Sequence, residues 1–300
     1  MTFAVQETPI DPVESYLLNM RATTTLELHK LILRKFCEYL FDTDDFRHAD
    51  WSQLSRANIQ RFIHSKLNDI QFNTANNYIT ILQSFALECL NLQVISFDSY
   101  TQIRALKKFR GIPPEAGRAL KLNEINKVKN TLSRSTKRID TRNFAIFSLA
   151  LGAGLRRAEI SRLNIEDLDG NRLIVKGKGN KARTVYLSKF SLGAVKSWLN
   201  QFSRKKGALF TQVDRGDFIS NERLGIRGIH HVINKIRNDS KLKHFTAHDL
   251  RRTFATTLLS LNNDIFTVQN LLGHSDPRTT QTYDKRGEKQ KISAVNSLPF

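Results

Sequence analysis

Residues 248–283 read HDLRRTFATTLLSLNNDIFTVQNLLGHSDPRTTQTY. Apolar residues at three- and four-residue steps predict helices over 249–261 and 264–272, and a third over 277–285. Gly273 suits the left-handed position that closes a helix, and His274 follows it directly. Asp276 then caps the next helix and Pro277 takes its first position. That helix is expected to present Tyr283. His248 and Arg251 stand three apart, so both project from one helix face. One can meet a phosphate while the other exchanges a proton. A phenol among cations can be deprotonated in a transition state and attack phosphorus.

Two segments upstream carry matching chemistry. Residues 152–160 read GAGLRRAEI. Arg156 sits where a glycine-broken turn enters a helix over 156–163, and a helix N-terminus with an arginine favours an anion. The bland alternative is an Arg156–Glu159 surface pair. Residues 175–187 read VKGKGNKARTVYL. Runs 172–176 and 182–187 are β-rich and flank Gly177-Lys178-Gly179-Asn180, which predicts a β-hairpin with Lys178 at its tip. This is no P-loop: GxxxxGK[ST] is missing and a strand follows, so no ATP use is expected. His244 and His248 have zinc-like spacing, but without a cysteine or third ligand no metal site is expected.

Helices are also expected over 122–132, 142–151 and 228–237. The first hundred residues read as a helical bundle. Leu28, Leu31, Ile32, Phe36, Tyr39 and Leu40 mark one helix, with Thr25 as its cap. Ile59 to Ile70 mark a second after Ser55 and Asn58, and Tyr78, Leu82, Phe85 and Cys89 a third, begun by Asn73 or Thr74. A fourth falls near 100–108. Residues 109–118, FRGIPPEAGR, read as a linker. The expected division is a helical domain over 11–108, a second domain over 119–291 and a tail over 292–300.

Of 300 residues, 47 are Lys or Arg and 28 Asp or Glu, for a net charge of +19. Residues 1–110 hold 12 of each sign, so the whole excess lies in 111–300 and points to a polyanion. Two cysteines rule out a disulfide framework, and no long apolar run suits a membrane. A cytoplasmic, nucleoid-associated setting is expected.

GLRxxE, GKGNK, HxxLR, LLGHS and TTQxY occur here in order, and with that order and spacing the sequence resembles the tyrosine recombinase (phage integrase) family, most closely its Xer-like members. Over 11–110 the likeness rests on the bundle and on TANNYITILQSF. The resemblance implies a mainly α fold with a small β-sheet: a core-binding, SAM-like bundle followed by a mixed α/β catalytic domain. It implies a site-specific recombinase of double-stranded DNA that works without cofactor, metal or ATP, as a tetramer on paired sites. Arg156 and Arg251 would hold the scissile phosphate and Lys178 would protonate the leaving 5′ oxygen. His248 would serve acid–base transfer, His274 would hydrogen-bond the phosphate or position neighbouring groups, and Tyr283 would form a 3′-phosphotyrosyl link. Arg56, Arg61, Lys66, Asn76, Asn77, Lys181, Arg183 and Arg252 are the candidate DNA contacts. Ala247 and Arg252 stand where proline and a second histidine are common in the family. The tail, through Ile292, Val295, Leu298 and Phe300, either folds back on its own domain or docks on a neighbouring protomer, and the resemblance favours the second. A type IB topoisomerase and a DNA-binding protein without catalysis are the alternatives.

Overall fold

The computed structural model describes residues 11–110, 117–177, 182–274, 276–284, 287 and 295–296. It divides into two units, Met1–Glu115 and Ala116–Phe300, and is mainly helical with two small sheets.

The first unit holds α1 (Pro12–Leu18), α2 (Thr23–Phe41), α3 (Arg56–Lys66), α4 (Phe72–Asn91) and α5 (Phe97–Arg104), with a short 3₁₀ turn at Trp51–Gln53. Trp51 is the centre of its core. It stacks on Phe36 at 6.2 Å, meets Phe85 edge-on at 4.7 Å, and donates its indole N–H to the Phe46 carbonyl. Such a ring buries much area and still satisfies its one donor. Cys37 and Cys89 are free and fully buried in the same core. Several helix starts differ from expectation. α2 begins at Thr23 with Ala22 as cap, not at Thr25, and α4 begins at Phe72 after Gln71, not at Asn73 or Thr74. Neither cap residue makes a side-chain bond to the helix, so neither carries the Ser/Thr/Asn signature of a start. α5 runs Phe97–Arg104 because Ser96 accepts from the Ser99 amide, which leaves Lys107 and Lys108 outside it.

The second unit is built on α7 (Arg138–Gly152), whose middle and end are buried. Around it lie α6 (Leu122–Ser133), α8 (Arg157–Arg162), α9 (Lys189–Leu199), α10 (Ile226–Asp239), α11 (Ala247–Ser260), α12 (Ile265–Leu272) and α13 (Pro277–Gln281). Strands β1 (Leu168–Asp169), β2 (Arg172–Lys176) and β3 (Ala182–Tyr186) form one antiparallel sheet, with Leu173 opposite Val185 and Val175 opposite Arg183. Side chains alternate across a strand, so Val185 and Arg183 share the inward face. The hairpin tip, with Lys178 and Lys181, lies outside the described residues.

Two elements were not expected. α9 is capped by Ser188 and buries Ser191, Ala194, Val195 and Trp198; two of these are small and Gly193 interrupts them, so the apolar stripe is faint in sequence. A second hairpin, β4 (Thr211–Val213) and β5 (Ile219–Arg223), lies in a stretch for which the sequence names no element. Its strand ISNER is polar and mostly exposed, so no alternation announces it. Asp217, in its turn, accepts from the amides of Arg138 and Ile139 and thereby caps α7. α13 stops at Gln281, short of the expected 285. Tyr283 therefore lies in the turn after the helix, its amide bonded to the Thr280 carbonyl. Of the tail, only residues 295–296 are described, and Val295 is exposed.

Candidate active site

Glu159 occupies the third position of α8, where its carboxylate accepts from the Arg156 backbone amide at 2.8 Å and closes the helix start. The same carboxylate takes the Arg156 guanidinium at 2.8 Å and both terminal nitrogens of Arg183 at 2.8 and 3.1 Å. Arg251 lies 3.9 Å away. Glu159 is only 4% exposed, so this is a buried hub for three arginines, not the surface pair that the Arg156–Glu159 spacing allows. Burial would raise its pKa, but the Arg183 hydrogen bonds, the Arg156 amide and both guanidinium charges outweigh it and hold the carboxyl below its usual value.

Arg251 reaches the hub from α11. Thr246 caps that helix, and Asp249 answers by accepting from the Thr246 amide and hydroxyl. Arg251 is 1% exposed and donates to two backbone carbonyls, Gly154 and Leu272. Gly154 has φ +62°, and a Cβ there would stand 2.6 Å from the Phe254 ring, so only glycine aims this carbonyl without strain. Burial first, then the Arg156 charge, lowers Arg251 to about 10.

Gly273 ends α12 in the left-handed conformation, as its position predicts, and its carbonyl accepts from Arg156 at 3.4 Å. His274 then lies in the site, its Nδ1 2.8 Å from the Thr280 hydroxyl. Burial, then the charges of Arg251 and Arg156, push it down to about 4. His248 is lowered as well, by burial first and then by Arg252 and Arg251. Both imidazoles are therefore neutral at pH 7. Tyr283 is 2% exposed, with its Oη 3.2 Å from His248 Nε2 and its ring 6.1 Å from that of His274.

Five residues singled out by sequence thus converge: Arg156, His248, Arg251, His274 and Tyr283. Lys178 and Lys181 fall outside the described residues. Arg183 and Arg252, expected among the DNA contacts, are turned inward. Arg183 is bonded to Glu159, and Arg252 lies over the Tyr283 ring at 5.0 Å. Arg56, Arg61 and Asn77 are exposed on the first unit, and Lys66 is half-buried. Asn76 is engaged, exchanging two hydrogen bonds with the backbone of Phe109. Sequence reasoning missed Glu159 as a hub and Thr280 as the partner of His274. The signal for Glu159 was its place three residues into α8. Among the described residues no cluster of His, Cys, Asp or Glu is arranged to hold a metal, and no helix is long and apolar enough to cross a membrane.

Three guanidiniums share one carboxylate here, so the pocket is cationic. Removing Glu159's charge should leave buried arginines without an anion. Glu159→Gln is expected to cost about 3 kcal/mol of stability at pH 7, read by urea denaturation. A loss below about 1 kcal/mol, the range of an exposed pair, would contradict the hub.

The phage integrase family model matches residues 118–289. The tyrosine recombinase XerD of Oceanobacillus iheyensis is 31% identical over 272 residues, covering 86% of this chain and 86% of that one. The tyrosine recombinase XerC of Caldanaerobacter subterraneus subsp. tengcongensis is 35% identical over 186 residues, covering 60% of this chain and 51% of that one. Among solved structures, the XerH recombinase bound to a palindromic difH substrate superposes with a TM-score of 0.64 at 20% identity, covering 92% of this chain and 78% of that one. A lambda integrase dimer bound to a COC′ core site gives 0.69 at 15% identity, covering 92% and 77%. At these identities the structures speak for the fold.

Proposed function

Since the chain belongs to the phage integrase family, as a Xer-like tyrosine recombinase of site-specific DNA recombination, we propose that Tyr283 is its nucleophile and that the pocket around Glu159 holds the scissile phosphate. The observation that carries this reading is the Tyr283–His248 contact set beside the guanidiniums of Arg156 and Arg251. The phenolic proton passes to neutral His248 Nε2 while the tyrosine oxygen bonds to phosphorus. Arg156 and Arg251 stabilise the charge that grows on the non-bridging oxygens. The bond from phosphorus to the 5′ oxygen breaks, and Lys178 supplies the proton that oxygen takes. His274, oriented by Thr280, hydrogen-bonds the phosphate. Rejoining is the reverse, with a new 5′ hydroxyl attacking the phosphotyrosyl ester. That ester conserves the energy of the broken bond, so neither ATP nor metal is required.

The DNA is double-stranded and carries a specific site, and the working form is a tetramer on two paired sites, acting on cytoplasmic DNA. Arg56, Arg61, Lys66 and Asn77 are the proposed contacts from the first unit, and Lys181 from the hairpin tip. The tail after residue 291 is proposed to reach a neighbouring protomer.

A nicked duplex that loses its short 5′ fragment after cleavage tests this directly. It should leave a covalent protein–DNA adduct in EDTA and without ATP. No adduct on any DNA bound with site specificity would favour the DNA-binding protein without catalysis. On the same substrate Lys178→Ala should cut about 10²- to 10⁴-fold more slowly, the usual worth of a general acid. A 5′-thiolate leaving group, which needs no proton, should restore most of that rate. Absence of rescue would remove Lys178 from the role.

A further inference from the structure

We propose that Arg252 is a positioning residue for the reaction: its buried guanidinium, laid over the Tyr283 ring, holds the phenol in place and keeps His248 as acceptor of the phenolic proton. The proposal rests on Tyr283 as nucleophile.

The geometry is specific. Arg252 lies one helical turn beyond His248 on α11, so the two side chains are neighbours on one face. Its Cζ is 5.0 Å from the Tyr283 ring centroid, within range of a cation–π contact. Arg252 is 8% exposed, and no carboxylate among the described residues lies within ion-pair distance of it. Its Nε has no hydrogen-bond partner among them. A guanidinium buried without a counter-charge is costly, and this one spends its charge on the phenol–imidazole pair.

His248 is faced from several elements. Tyr283 comes from the turn after α13, Arg156 from the start of α8, His274 from the segment after α12, and Asp249 and Arg251 from α11 itself. Asp249 favours the protonated imidazole, but its carboxylate is held by Thr246. Burial disfavours the protonated form most, and among the charges Arg252 acts most strongly. Arg252 thus tilts His248 further toward its neutral form. Only a neutral Nε2 can take the phenolic proton as the oxygen–phosphorus bond forms, and only the resulting imidazolium can return it when that bond breaks in rejoining.

Arg252→Gln removes the charge at similar length, and Arg252→Lys keeps it. The first readout is the NMR titration of the His248 ring in the DNA-free protein. The second is the pH dependence of single-turnover cleavage on pre-bound nicked DNA. Gln should raise the His248 midpoint by about one pH unit, equivalent to a tenfold change in protonation. Cleavage should then fall about two- to fivefold at pH 6 and hardly at all at pH 8. Lys should keep the wild-type midpoint and pH profile. A folded Gln variant with an unmoved midpoint overturns the proposal. So does a Lys variant that shifts as far as Gln, which would leave Arg252 as packing. A moved midpoint with an unchanged pH–rate profile also overturns Arg252's part in the reaction. Failure of Tyr283 as nucleophile is seen separately, as an adduct surviving Tyr283→Phe.

Discussion

Arg251→Lys is expected to slow strand cleavage about 10³-fold or more, while DNA affinity changes at most a few-fold. The side chain donates to the carbonyls of Gly154 and Leu272, which fix its plane, and it lies near a carboxylate already occupied by Arg156 and Arg183. Lysine keeps the charge but loses the planar fork, and it cannot span two carbonyls and a phosphate oxygen together. Fixed donors aimed at growing charge matter chiefly in the transition state, and removing one typically costs 10²–10³-fold, with arginines at a transferring phosphoryl group worth about 10³–10⁵. Arg156→Ala should act in the same direction with less damage to the fold, because 43% of that side chain is exposed. Single-turnover cleavage beside a mobility-shift titration separates the two quantities. An affinity loss as large as the rate loss would make these arginines binding residues alone.

Tyr283→Phe should abolish the covalent adduct altogether. The substitution deletes one oxygen. The ring keeps its place beneath Arg252 and against Ala255, Leu259, Val268 and Leu272. Only the contact to His248 is lost, worth about 1 kcal/mol. Thermal stability should therefore move by only a few degrees, and specific DNA binding should persist. A variant that unfolds, or that still forms adduct, would contradict this picture of the site.

The motif residues that converge in the structure were legible because helix caps and helix spacing are local. Gly273 announces the end of α12, and Asp276-Pro277 the start of α13, from their own chemistry. The β2–β3 hairpin was legible for the same reason. The hub was not. Whether Glu159 is a surface acid or a buried counter-ion depends on β3 bringing Arg183 to it from 24 residues away, and on α11 bringing Arg251. Arg183 and Arg252 read as surface cations because sequence records a charge, not the direction it faces. The alternation that turns Arg183 inward with Val185 was present in β3, but an arginine at an inward position is assigned to solvent until its partner is known. The starts of α2 and α4 are not marked in the sequence, because Ala22 and Gln71 cap without a side-chain bond while the nearby Thr25, Asn73 and Thr74 have the residue types of caps.

In the proposed reaction DNA becomes joined to this protein through one phenolic oxygen. The most direct test is to trap the wild-type adduct on a nicked duplex, digest the protein and identify the DNA-bearing peptide by mass spectrometry. The expected product is a single peptide containing residues 279–284, with a 3′-phosphate esterified to the Oη of Tyr283. A phosphate carried on any other side chain, or on the 5′ end of the cut strand, would contradict it.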